Sequence, residues 1–225
     1  MKTIDKKYDF KVVKKPWGYE YVAYRNKNQL ALTYLNIDYQ KETSLHCHPI
    51  KKTGFILLSG KAEIKLGFDN SKIYNAPEKL MIRPGLFHSI KAVSKKGIVA
   101  LEFETPVKKD DLVRYFDKYG RQKKPYENSS FFIKNKEVIK FKTPKIGKKI
   151  IYKVGTTKVC IETYNKIKNI LKKKHNHIIA VLKGSMVNYR SKKVLSEGDI
   201  IRVSTVKQLA KKFKIKNSIT CLEVN

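Results

Sequence analysis

The sequence predicts an all-β fold, a sandwich or barrel of short strands, with a second copy of the same pattern in the second half. Short apolar or alternating runs are separated by polar turns, which is typical of sandwiches and barrels. Strand signals of the first half recur after a lysine-rich stretch. The chain has 225 residues, enough for one large or two small domains, and its 41% hydrophobic residues suffice for a core.

The first half contains the clearest elements. Strands are predicted, among others, at 19–24, 31–37, 54–58, 61–66, 80–82, 89–93 and 99–104. Turn residues separate them, for example the Arg-Pro-Gly of 83–85. One short helix is predicted over 110–117, because acidic residues stand where the first turn of a helix favours negative charge.

The second half repeats these strand signals in a degenerate form. Residues 180–184 echo 56–60, residues 195–202 echo 76–83, and residues 220–224 echo 99–103. The boundary is expected within roughly 117–150. We therefore predict a first domain over 1–125, and a linker with a degenerate second copy over 126–225.

Three histidines of the first half form a candidate metal site. A strand places His46 and His48 on one face, and His88 arrives from the turn at Pro84 and Gly85. Imidazole suits Zn, Fe, Ni, Cu and, less strongly, Mn. The alternative is a set of interior polar residues that bond each other and water. In the second copy, Lys172 stands near the position of His48 and Lys207 near that of His88, so that copy is expected to bind no metal.

The charge and composition of the chain limit the classes of molecule that it is expected to bind. Fifty Lys and Arg against nineteen Asp and Glu leave a net charge of +31, which favours anionic partners or reflects a solvated lysine-rich surface. The lysines form no basic tail, and no recognition motif predicts nucleic-acid binding. An odd number of cysteines, no signal peptide and no membrane-length apolar run predict a reduced, cytoplasmic protein without membrane contact.

The His-x-His of 46–48, the later Gly60 and the Pro-Gly-x-x-His of 84–88 resemble the motifs of the cupin superfamily. A narrower resemblance covers 14–121. Residues 15–20 (KPWGYE), 99–104 (VALEFE) and 110–121 (DDLVRYFDKYGR) look like segments of type II mannose-6-phosphate isomerase domains. The resemblance implies two cupin-type jelly-roll barrels, the second degenerate, and one divalent metal (Zn, Mn, Fe or Ni) held by His46, His48 and His88.

Two positions depart from the family pattern. His46 replaces a residue that is usually Gln, and Thr53 replaces the usual Glu, so the site loses a negative charge. Glu102 and Glu104 alternate onto one strand face and are candidate catalytic bases, or face solvent if that face is external. Arg114 is a candidate for binding a substrate anion, as are Arg83 and Arg121; the alternative for Arg114 and Arg121 is an ion pair with a nearby aspartate.

Three functions remain open at this point. The first is a metal-dependent isomerase or epimerase acting on a small anion, most readily a sugar phosphate or sugar acid used for a surface polysaccharide. The second is a metal-dependent dioxygenase or lyase acting on a small acid. The third is a non-catalytic sugar-binding or regulatory module, and in each case a homodimer is compatible with the sequence.

Overall fold

A computed structural model describes residues 9–27, 29–108, 110–121, 132–133 (backbone only) and 138–225. The described chain is mostly β-strand, so the predicted all-β class is confirmed. It divides into two compact units, one comprising residues up to 78 with 82–140 and one comprising 79–81 with 141–225. The predicted boundary at 125/126 lies outside the described residues and stays a prediction.

The described residues up to Ile133 form twelve strands, and all of the strand residues except Lys79–Met81 belong to the first unit. They are β1 (Val12–Lys15), β2 (Gly18–Asn26), β3 (Leu30–Ile37), β4 (Leu45–Cys47), β5 (Lys52–Ser59), β6 (Lys61–Leu66), β7 (Asn70–Asn75), β8 (Glu78–Ile82), β9 (His88–Ala92), β10 (Ile98–Thr105), β11 (Val113–Phe116) and β12 (Phe132–Ile133). Each predicted strand is present.

These strands form two sheets that give the unit its cupin-type jelly-roll architecture. One sheet has the order β12-β1-β2-β3-β10-β5-β8, and the other has the order β11-β4-β9-β6-β7. On β9 the alternate residues His88, Ile90 and Ala92 are buried and share a face. The ring of His88 lies 6.0 Å from that of Phe55 on β5, so the inner faces of the two sheets meet at this point.

The helix predicted over 110–117 is wrong. Residues Val113–Phe116 form β11, which pairs antiparallel with β4. Asp111, read as a first-turn acid, instead accepts hydrogen bonds from the backbone amides of Ile50 and Lys51. The Asp111 carboxylate therefore binds amides that are distant in sequence, and does not stabilise the first turn of a helix.

The second unit contains one sheet and two short helices. Its elements are β13 (Lys149–Val154), β14 (Thr157–Tyr164), α1 (Ile167–Leu171), β15 (Ile178–Val187), β16 (Lys193–Leu195), β17 (Ile200–Arg202), α2 (Val203–Leu209) and β18 (Lys214–Val224). The sheet has the order β13-β14-β18-β15-β16, and β17 also pairs with β15. The helices contribute Ile170, Val203 and Val206 to a core shared with Tyr164 and Ile179. No helix in the described part of the chain is long and apolar enough to span a membrane.

Gly60 gives a first testable prediction. Its backbone φ is +81°, and an added Cβ would lie 2.6 Å from the carbonyl oxygen of Gly97. Gly85 has a similar φ of +76° but no atom within 4 Å of such a Cβ. Both alanine variants carry a left-handed penalty of about 1–2 kcal/mol, and Gly60→Ala should lose about 1–3 kcal/mol more through the clash.

Urea unfolding followed by tryptophan fluorescence measures this difference. Trp17 is the chain's one tryptophan and is buried in the first unit, so its emission reports on that unit. Gly85→Ala is the matched control for the dihedral penalty. Equal unfolding midpoints for the two variants would contradict the close contact at Gly60.

Candidate metal centre

The structure brings the three predicted histidines together. His46 lies on β4 directly opposite His88 on β9, and His48 follows the end of β4. Their ring centroids are separated by 4.6 Å (His46–His88), 5.0 Å (His46–His48) and 5.5 Å (His48–His88). One nitrogen from each lies within 4.8 Å of the others. This spacing allows the three imidazoles to bind one ion; their role as ligands stays a prediction.

Backbone carbonyls orient all three rings. Each Nδ1 lies within hydrogen-bond distance of a carbonyl oxygen, and a carbonyl can only accept, so Nδ1 carries the proton. Each Nε2 is then left with its lone pair, the arrangement found for histidines that bind metals. The acceptors are Ser44 for His46 at 2.8 Å, Asp111 for His48 at 2.5 Å and Leu86 for His88 at 2.9 Å.

The environment keeps the imidazoles neutral. Burial lowers the pKa of His88 to about 4. Burial, followed by the proximity of His88 and His48, holds the pKa of His46 well below its ordinary value. Burial and then the Lys51 ammonium lower the pKa of His48. Neutral imidazole is the form that binds metals.

Three buried polar atoms around this point favour an ion. Among the described residues, His48 Nε2, His88 Nε2 and Thr53 Oγ1 are buried and have no hydrogen-bond partner. An unsatisfied buried polar atom costs about 1–3 kcal/mol. A divalent metal would satisfy both nitrogens, and a neutral three-imidazole set suits Zn, Fe, Ni or Mn. The residues present therefore fit the predicted metal.

Two carboxyl groups face the same space from β10. Glu102 and Glu104 line a cavity of about 110 Å³ together with His46 and His48, so they do not point to the exterior. Lys51, whose side chain is 2% exposed, donates a hydrogen bond from Nζ to Oε1 of Glu104. That oxygen lies 3.9 Å from His48 Nε2.

The two carboxyl groups have different proton affinities. Burial, and then the proximity of Glu104 and Glu20, raises the pKa of Glu102 well above its ordinary value. Burial alone would also raise the pKa of Glu104, but Lys51 and His48 outweigh it and lower that pKa. Paired carboxyls with separated pKa values are typical of sites that transfer protons.

The three predicted anion-binding arginines do not share one place. Arg114 and Arg121 line the cavity, and Arg114 stands opposite His46 across the β11–β4 pair. Arg121 forms a two-point ion pair with Asp117, at 2.8 Å and 3.1 Å, as the alternative interpretation expected. Arg83 is exposed in its turn and is not among the residues lining the cavity. Of the three, Arg114 is the one placed beside the histidines by strand pairing.

Sequence reasoning missed three residues that shape the site. Lys51 binds Glu104, Asp111 holds both His48 and the following loop, and Lys15 pairs with Glu20 at 3.1 Å in the cavity wall. Nothing in the local sequence distinguishes Lys15 or Lys51 from the many exposed lysines. Only their burial, 7% and 2% exposed, marks them as part of the interior.

The second unit holds a different cluster. Cys160, Glu162 and Glu223 offer potential ligand atoms within 4.8 Å of one another. Lys173 Nζ, however, lies 3.1 Å from Glu162 and 3.0 Å from Glu223, so an ammonium already forms ion pairs with both carboxylates. Lys207, expected at the position of His88, lies on α2 rather than on a strand. The expected absence of a second metal stays a prediction.

The first unit therefore combines a jelly-roll fold of the cupin type with a candidate three-histidine metal centre. No family model matches the sequence, and no curated protein matches it. Similar solved structures include a double-stranded β-helix protein from Klebsiella pneumoniae subsp. pneumoniae (16% identity, 47% of this chain, 90% of that chain, TM-score 0.39) and KdgF from Halomonas sp. (15%, 48%, 95%, 0.40). The capsular polysaccharide assembling protein CapF from Staphylococcus aureus is also similar (17%, 47%, 33%, 0.41).

Proposed function

We propose that this chain is a metal-dependent cupin enzyme that isomerises or epimerises an anionic sugar or sugar phosphate, in the manner of mannose-6-phosphate isomerases. The observation that supports the proposal best is the set of three neutral imidazoles beside two carboxyl groups, with the Nε2 atoms of His48 and His88 buried and without a hydrogen-bond partner. We further propose a bicupin architecture, a cytoplasmic location and a role in supplying surface polysaccharide precursors.

Aldose–ketose chemistry needs a polarised carbonyl and a group that moves a proton between neighbouring carbons. His46, His48 and His88 would hold the divalent metal, which when bound would polarise the carbonyl as a Lewis acid. Glu102 is our candidate for proton transfer, because it lines the cavity and Lys51 is bound to Glu104 instead.

Arg114 is our candidate for binding the substrate anion. It lines the cavity beside His46, whereas the guanidinium of Arg121 is paired with Asp117. A guanidinium inside a cavity binds phosphate through two parallel hydrogen bonds, which salt screens less than an exposed charge. The net charge of +31 lowers the electrostatic work of bringing an anion to the opening of the cavity.

A dioxygenase or lyase is the second candidate, and Thr53 is the observation that favours it. Thr53 provides a hydroxyl where the resembled isomerases have a carboxylate. The three histidines therefore have no negatively charged neighbour at this position of β5. Native metal identity distinguishes the candidates: Zn or Mn favours isomerisation, Fe together with substrate-dependent oxygen consumption favours oxygenation, and no metal favours a non-catalytic module.

The substrate class can be tested by thermal stabilisation. A panel of phosphosugars, nucleotide sugars and sugar acids is added to the metal-loaded protein at physiological ionic strength. A true ligand at a hundredfold excess over its dissociation constant stabilises the folded state by about 2.7 kcal/mol. We expect Arg114→Ala to lose this shift.

Arg83→Ala is the matched control, because Arg83 is exposed outside the cavity wall and should leave the shift unchanged. Any stabilising sugar is then incubated with the enzyme, and its isomers are separated and quantified. A panel that leaves every melting curve unmoved would count against a sugar-phosphate enzyme.

A further inference from the structure

We propose that Glu104 is the fourth protein ligand of the metal centre and that Lys51 competes with the metal for the same carboxylate oxygen. This inference rests on the proposed three-histidine site and extends it. It removes Glu104 from the candidates for proton transfer and leaves Glu102 in that role. It also makes the metal affinity depend on Lys51, which lies on neither β4 nor β9, the strands that position the histidines.

The position of Glu104 is the first argument. Its Oε1 lies 3.9 Å from His48 Nε2, and both residues line the cavity. Ligand atoms bound to one zinc ion through bonds of about 2.0–2.2 Å stand about 3–3.5 Å apart. A small rotation of a glutamate side chain closes the remaining gap, so no backbone movement is needed.

The facing strand supports the choice of Glu104 over Glu102. Glu104 stands opposite Thr53 on β5, a small residue whose buried hydroxyl has no hydrogen-bond partner in the described part of the chain. Glu102 stands opposite Phe55, whose ring packs against His88. The neighbour of Glu104 thus offers space and a hydroxyl to a polar centre, while the neighbour of Glu102 is apolar.

Lys51 is the second argument. Its ammonium is bound to Oε1, the same oxygen that faces His48. A cation therefore already occupies the side of the carboxylate on which the metal would bind. Because two cations repel strongly at this range in a poorly solvated interior, metal binding requires the ammonium to leave Oε1. The ion pair keeps Glu104 neutralised in the metal-free protein, and it weakens the affinity for the metal.

Metal titrations of the full chain test both claims, that Glu104 is a ligand and that Lys51 competes with the metal. Metal-free protein is titrated with Zn²⁺ against a competing chelator, and with Co²⁺ while the visible absorption of the ion reports its coordination. Loss of an outer-shell partner typically weakens metal affinity about 10–100-fold. Glu104→Gln should weaken the metal affinity by more than this and change the Co²⁺ spectrum. Glu102→Gln, on the same strand face, should weaken the affinity by no more than an outer-shell loss and leave the Co²⁺ spectrum unchanged.

The double variant Lys51→Met/Glu104→Gln separates ligation from charge. It removes both members of the buried pair, so it leaves no unpaired charge to compromise folding. If Glu104 is a ligand, the double variant still binds the metal more weakly than the wild type, although it recovers part of the affinity lost in Glu104→Gln because the repelling ammonium is gone. Wild-type affinity in the double variant would overturn the proposal, because Glu104 would then act only by neutralising Lys51.

Lys51→Met alone should bind Zn²⁺ about tenfold more tightly or better, since a competing cation near the site is gone. An unchanged affinity in this variant would overturn the competition. His48→Ala distinguishes failure of this inference from failure of the whole site. Loss of binding in His48→Ala but not in Glu104→Gln contradicts only the fourth ligand, while wild-type protein that binds neither ion contradicts the metal centre as well.

Discussion

Replacing His48 by alanine is expected to reduce the metal content of the purified protein from about one ion per chain to almost none. His48 belongs both to the three-histidine group and to the group that it forms with the two glutamates, so its removal breaks both. Structural zinc sites contribute about 10–16 kcal/mol in small zinc domains, and losing a central ligand removes a large share of such a free energy. Elemental analysis of protein purified without a chelating tag measures the result.

The matched control is His177→Ala. His177 lies in the second unit, outside the three-histidine group, so this variant should keep the wild-type metal content. Full metal occupancy in His48→Ala would overturn the assignment of the site. Two ions per wild-type chain would instead show that the cluster around Glu223 binds metal despite the ion pairs of Lys173.

Replacing Asp111 by alanine is expected to lower the free energy of unfolding of the first unit by about 2–5 kcal/mol, since each buried amide left unpaired costs about 1–3 kcal/mol. The buried Asp111 carboxylate accepts the amide of Lys51 at 2.7 Å and that of Ile50 at 3.1 Å. Its carbonyl also orients His48. The loop that carries both His48 and Lys51 therefore loses its anchor when this side chain is removed.

Urea unfolding of metal-free protein, followed by Trp17 fluorescence, tests this expectation. Asp110→Ala is the matched control, because Asp110 is exposed and its replacement should change stability by less than about 0.5 kcal/mol. Asp111→Asn should fall between the two, since its amide oxygen can still accept one of the hydrogen bonds. Equal stability of the alanine variants at 110 and 111 would refute the anchoring role.

The wrong helix over 110–117 shows where local reasoning fails. An acidic residue ahead of an apolar run is a sound helix signal when its only partners are the amides that follow it. Asp111 instead has partners about sixty positions earlier in the chain, and Val113–Phe116 pairs with β4. Hydrogen bonds to distant backbone groups outweigh a weak local preference, and no window of sequence contains them.

The sequence by itself determined the all-β class, most strands of the first half and the candidate histidines, because each depends on the two-residue period of a strand and on the turns beside it. The His-x-His spacing alone places His46 and His48 on one side of the backbone. The pairing of His46 with His88 and of Glu104 with Thr53 depends on strand register, which is set by contacts between distant segments. Burial of Lys51 beside Glu104, and exposure of Arg83 away from Arg114, are decided by packing alone. For that reason the tertiary structure, and not the motif, identifies which charges share the cavity.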